Sequence, residues 1–168
     1  MSSGLKTIGI GGLAPGCLGA ARTNSTVAPT LIAKVGVSTI DTLDLSWPRA
    51  VVELVGVTLG AEQLLGGTEV ATVVLANETV LELGGGIPWF VAVVVVNGTV
   101  APPAGVFVVN GTLALGDGGR TPGRPQGDYV LGSLGVNGTL RVDGLNVVLG
   151  LNDLRVADCG TITTDGWR

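Results

Sequence analysis

From Val70 onward the chain alternates short aliphatic, β-branched runs with compact polar breaks. Val70-Ala71-Thr72-Val73-Val74-Leu75-Ala76 meets Asn77-Glu78-Thr79 and resumes as Val80-Leu81-Glu82-Leu83. Phe90 to Val96 runs into Asn97-Gly98-Thr99, Val106 to Val109 into Asn110-Gly111-Thr112, and Gly135-Val136 into Asn137-Gly138-Thr139. Runs of this composition predict strands. Asn-Gly between them predicts two-residue hairpins, because a type I′ turn needs φ > 0 at both central residues. The expected fold is therefore all-β, an antiparallel sandwich of jelly-roll type joined by Asn-Gly hairpins. A β-helix or solenoid is the alternative, with Val142 to Gly150 as a candidate rung. Against it, the Asn breaks at 77, 97, 110 and 137 are spaced by 20, 13 and 27 residues, whereas a solenoid calls for a fixed period.

Val91 to Val96 is apolar at consecutive positions instead of alternating. Such a strand is covered on both faces. In an antiparallel domain of this size, one cover is its own core and the other is expected to be a neighbouring subunit. Two short helices are candidates. Ser46 to Glu53 has Ser46 as cap and Pro48 in the first turn, and Gly60 to Leu65 is stopped by Gly66-Gly67; Val51, Val55 and Val57 suit a strand equally well. Gly116 to Asp128 has no apolar residue to bury and is expected to be one long surface loop. Residues 1–29 show no core pattern and are expected to form an extended N-terminal arm, leaving 30–168 as a single β domain.

Composition narrows the function classes. Of 168 residues, 46% are hydrophobic and 13% charged, which is too apolar for a disordered chain. The 29 glycines disfavour a helical domain. The longest uninterrupted apolar stretch, Trp89 to Val96, is far short of the ~20 residues of a spanning helix, so no membrane span is expected. Glycines and Pro15 interrupt the apolar part of the N-terminus, so no cleaved secretory leader is expected. The net charge of -4 lacks the basic face of a nucleic-acid binder.

Histidine is absent, which excludes Ser-His-Asp and Cys-His nucleophilic sites. Cys17 and Cys159 cannot form a zinc site unaided; they are either a disulfide tying the two ends of the chain or two free thiols. Gly9-Ile10-Gly11-Gly12 and Gly84-Gly85-Gly86 lack the Lys-Ser/Thr of a phosphate loop and read as turns. Asp41, Asp44, Asp143, Asp153 and Asp158 form no calcium ligand ladder and read as surface acids. No catalytic residue, cofactor or metal is expected.

Asn24, Asn77, Asn97, Asn110 and Asn137 all begin Asn-x-Ser/Thr sequons, five of the seven asparagines. They are candidate glycosylation sites, although turn chemistry accounts for four of them without a secretion route and is the favoured explanation. Trp89, Arg120, Arg124 and Trp167 are candidate interface residues, since arginine and tryptophan are enriched at interfaces. Together these features predict a non-enzymatic structural protein that self-assembles, with copies of itself or with a major shell protein, as a capsid, decoration or tail-associated component of a virion. The alternatives are a secreted, N-glycosylated surface filament or appendage subunit using strand donation, and a carbohydrate-binding β-sandwich module with Trp47 or Trp89 stacked on sugar.

Overall fold

The computed structural model describes residues 7–9, 30–47 and 49–164. It is a parallel β-solenoid of about 6 turns, with no helix among the described residues. The strands are β1 (Thr7–Gly9), β2 (Thr30–Leu45), β3 (Val51–Gly66), β4 (Ala71–Ala76), β5 (Thr79–Leu83), β6 (Val91–Ala101), β7 (Val106–Val109), β8 (Thr112–Arg120), β9 (Asp128–Val136), β10 (Thr139–Val142), β11 (Val148–Val156) and β12 (Thr161–Thr164). The larger sheet runs β1-β2-β3-β4-β6-β8-β10-β12, with β5 between β3 and β6; the smaller runs β11-β9-β7. Every registered pair among them is parallel. The jelly-roll sandwich is thus replaced by the solenoid alternative.

The spacing that told against a solenoid is itself the coil repeat. Thr30 pairs with Val51 and Val51 with Thr72, a step of 21 residues. Ala71 pairs with Val91, a step of 20. Thr112 pairs with Thr139, a step of 27, because residues 121–127 bulge from that coil as an insertion. The gaps of 20 and 27 between asparagines are therefore coil-to-coil steps. The gap of 13, Asn97 to Asn110, runs between two different corners of the same coil, and pooling the two kinds of gap hides the period.

The Asn-Gly signal misleads for a related reason. Asn97, Asn110 and Asn137 do not have positive φ, nor do the glycines that follow them, so none of these steps is a type I′ turn. Glycine is required instead by close approach. A Cβ at Gly98 would strike the carbonyl oxygen of Thr79, one at Gly111 that of Val91, and one at Gly138 that of Asn110, each on the preceding coil. Among the asparagine corners, only Asn77-Glu78 has two positive-φ residues, and it joins β4 to β5 within one coil.

The core is a stack of aliphatic ladders. Parallel register places Val52, Val73, Val93, Leu113 and Leu140 above one another, and next to them Leu54, Leu75, Val95 and Leu115; all are buried. On the smaller sheet Phe107 stacks on Leu134, and Val109 on Val136, again buried. Alternation therefore persists within Val91–Val96: Val91, Val93 and Val95 point inward, while Val94 is half-buried between Val74 and Ala114 of the adjacent coils. Adjacent coils thus supply part of the second cover that the sequence assigns to a neighbouring subunit.

Neither candidate helix forms. Ala50 closes a turn on the Trp47 carbonyl, β3 starts at Val51, and 60–65 lie inside β3. Coil-on-coil pairing and inward burial of Leu54, Leu59 and Leu64 override the capping signals. The long loop is also shorter than expected. Gly116–Arg120 belongs to β8, where Gly119 lies against Tyr129, and only 121–127 remain outside strands. Within the expected arm, Thr7–Gly9 pairs parallel with Thr42–Asp44 of β2. No helix among the described residues is long and apolar enough to cross a membrane.

Candidate functional site

Three features stand apart from the packed stack, and the first is its C-terminal end. Leu140 pairs with Ile162, Leu134 with Leu154 and Val136 with Val156. The inner members are sealed, at 1%, 1% and 0% exposed; their outer partners are 43%, 41% and 45% exposed. The chemistry of the ladder is unchanged across the last step, and only the cover is missing. Val148 and Leu145 are exposed as well, and β11 and β12 are the terminal strands of their two sheets. Unpaired strand edges of this kind template further strands.

The second feature is the corner carrying Trp89 and Phe90, both exposed. Phe90 is held at φ 63°, a conformation rare for an aromatic residue, while its carbonyl accepts from Ala71 N–H at 2.9 Å. Leu65 and Val70 are also exposed, and the residues that follow them, Gly66 and Ala71, lie against the Trp89 and Phe90 carbonyls. Next to it, Pro88 helps line a shallow groove of about 390 Å³ that also carries Glu62, Gln63, Gly85, Gly86 and Asn110. Gln63 Nε2 donates to Thr42 Oγ1 at 2.9 Å, which fixes its amide. Among the described residues, no group of three or more metal-ligating side chains converges.

The third feature is the asparagine corners. Asn137 Nδ2 donates to Asn110 Oδ1 at 2.7 Å across one coil step, and Glu78 N–H donates to the Asn97 carbonyl at 3.0 Å. Of the candidate sequons, Asn77 is exposed, Asn97, Asn110 and Asn137 are half-buried, and Asn24 lies outside the described residues. Thr79, in the Asn77 sequon, is fully buried, its hydroxyl 2.8 Å from the carbonyl oxygens of both Leu54 and Ala76.

The remaining candidates are dispersed. Arg120 and Arg124 are exposed around the insertion; Arg120 Nε donates to Thr99 Oγ1 and Nη1 to the Arg124 carbonyl, each at 3.5 Å. Cys159 is exposed on the last coil, whereas Cys17 and Trp167 lie outside the described residues. Arg49–Glu69, Arg141–Asp143 and Arg155–Asp153 are surface ion pairs, of a kind worth ~0–1 kcal/mol each. Tyr129 is the one described group whose pKa clearly moves: burial foremost, and the Asp117 carboxylate second, push its phenol up while it donates to the Gly116 carbonyl at 2.7 Å.

Sequence reasoning did not single out Leu154, Val156 and Ile162. The signal is present in the repeated tetrads Thr112-Leu113-Ala114-Leu115, Thr139-Leu140-Arg141-Val142 and Thr161-Ile162-Thr163-Thr164, which share one inward position. These features define a parallel β-solenoid with an uncovered end. No family model, curated protein or solved structure matches the chain.

Proposed function

We propose that this chain is a non-enzymatic structural protein that self-assembles as a virion component, with the solenoid as its rigid building block. The observation that carries this reading is the terminal rung, where core-type aliphatic residues stand at 41–45% exposure directly above fully buried equivalents. Contiguous apolar surface on a folded chain marks an interaction site. At ~25 cal/mol per Å², covering a few hundred Å² of it yields several kcal/mol before association costs. Native mass spectrometry across a concentration series, with intact mass of material from the natural source, tests the reading. An unmodified chain in multimers supports it. A monomer at every concentration refutes it, and added hexose on the asparagines transfers the assembly to the surface-filament alternative.

A carbohydrate-binding role is favoured by a separate observation: exposed Trp89 adjoins a groove offering Glu62, Gln63 and Asn110. An aromatic face with a few placed polar groups is the usual composition of a small-ligand site. Tryptophan fluorescence that saturates with a neutral oligosaccharide, and fails to do so in Trp89→Ala, is the expected result for that role.

A further inference from the structure

Resting on the self-assembly reading above, we infer that the surface covering the C-terminal end is the N-terminal edge of a second copy, so that solenoids join head to tail in continuous register. One rung position runs through the molecule as Thr30, Val51, Thr72, Ala92, Thr112, Thr139 and Thr161. The first and last members are the opening residues of β2 and β12. Setting Thr30–Ala33 of one copy on Thr161–Thr164 of another repeats the relation of each strand to the next. Leu31 then takes the position over Ile162 that Ile162 takes over Leu140.

Two observations favour this partner over others. Among the described residues, Thr30–Ala33 has no strand partner on its outer side, because β1 pairs only with Thr42–Asp44. Every registered strand pair of the molecule is parallel, and head-to-tail joining preserves that geometry, whereas two C-terminal ends meeting about a two-fold axis would have to pair antiparallel. The contact is heterologous and does not close on itself, so its product is an open filament instead of a ring or a dimer.

Cysteine crosslinking tests the geometry. Adjacent strands lie ~4.8 Å apart, within the reach of a disulfide. In a Cys17→Ser, Cys159→Ser background, Thr30→Cys and Thr161→Cys are made singly and together, and are oxidised with copper phenanthroline after circular dichroism shows the wild-type β spectrum. The expected result is a ladder of covalent multimers from the double variant, a single dimer from the two singles mixed, and no dimer from either alone. Dimers from Thr161→Cys alone overturn the inference in favour of end-to-end symmetry. Absence of crosslinks while the unsubstituted chain still forms multimers in native mass spectrometry overturns it in favour of another surface. A chain that is monomeric without substitution refutes the self-assembly reading itself.

Discussion

Asn137 donates its side-chain amide to the Asn110 carboxamide oxygen at 2.7 Å, although 27 residues separate the two in the chain. The contact exists because Val109 and Val136 are paired in parallel register one residue earlier, with the 121–127 insertion extruded between them. Replacing Asn137 with Ala removes the donor. The expected cost is ~1 kcal/mol, or a Tm lower by ~2–4 °C for a domain of this size. In a double-mutant cycle, Asn110→Ala should cost less once Asn137 is already Ala, and strict additivity of the two melting shifts would contradict the ladder.

Thr79 ties a corner together. Its hydroxyl lies within hydrogen-bonding distance of two carbonyl oxygens, Leu54 and Ala76, and accepts from Val57 N–H at 3.4 Å. Thr79→Val keeps the shape and leaves buried backbone groups without a partner, at an expected cost of ~1–3 kcal/mol. Thr99, which lies one coil further on and pairs with Val80, hydrogen-bonds exposed Arg120, so Thr99→Val should cost less. Chemical denaturation of the two variants side by side reads the difference.

Tyr129 makes stability depend on alkaline pH. Its folded pKa is raised above the ordinary value of 10.0, chiefly by burial, so the native state holds the phenolic proton more tightly than the unfolded chain does. The resulting stabilisation is complete below pH 10 and is lost as pH rises from there toward the folded pKa. Melting temperature should fall in that window for the wild type. In Tyr129→Phe the fall should be smaller, on a lower baseline because the bond to the Gly116 carbonyl is gone.

The two ends of one ladder should respond differently to truncation. Leu140→Ala opens a cavity in sealed packing and is expected to cost ~2–5 kcal/mol. Ile162→Ala removes side chain that is already largely exposed and should cost well under half as much in dilute solution. Melting curves of the two variants at low protein concentration make the comparison. Equal losses would mean that Ile162 is covered within the monomer.

Among the described sequons, Asn77 is the best placed for a glycan. It is exposed at a left-handed corner, whereas the Asn137 amide nitrogen is already engaged. Expression through a eukaryotic secretory route, followed by peptide mapping, should find higher occupancy at Asn77 than at Asn97, Asn110 or Asn137. Higher occupancy at Asn137 than at Asn77 would contradict that ranking.

Strand content was legible because β-branched runs such as Val70–Ala76 and Val91–Val96 carry their preference locally. The breaks at Asn77, Asn97, Asn110 and Asn137 were legible as changes of direction for the same reason. Strand orientation was not. Asn-Gly marks a site that tolerates a sharp bend or a close backbone approach, and it reads alike whether the next strand folds back or continues around a coil. At Gly111 and Gly138 the deciding fact is a carbonyl oxygen of the preceding coil where a Cβ would stand, and it comes from residues distant in the chain. The sites divide in the same way. Trp89 was identifiable from residue type alone, while the open rung of Leu154, Val156 and Ile162 appears only when each residue is compared with its partner one coil below. The sequence by itself determined that this is an all-β chain with an aliphatic inward face and glycine-dependent corners, because those are properties of single residues and near neighbours. Tertiary structure decided that the strands stack in parallel and that one end of the stack is uncovered, because register is set by contacts between residues 20–27 positions apart.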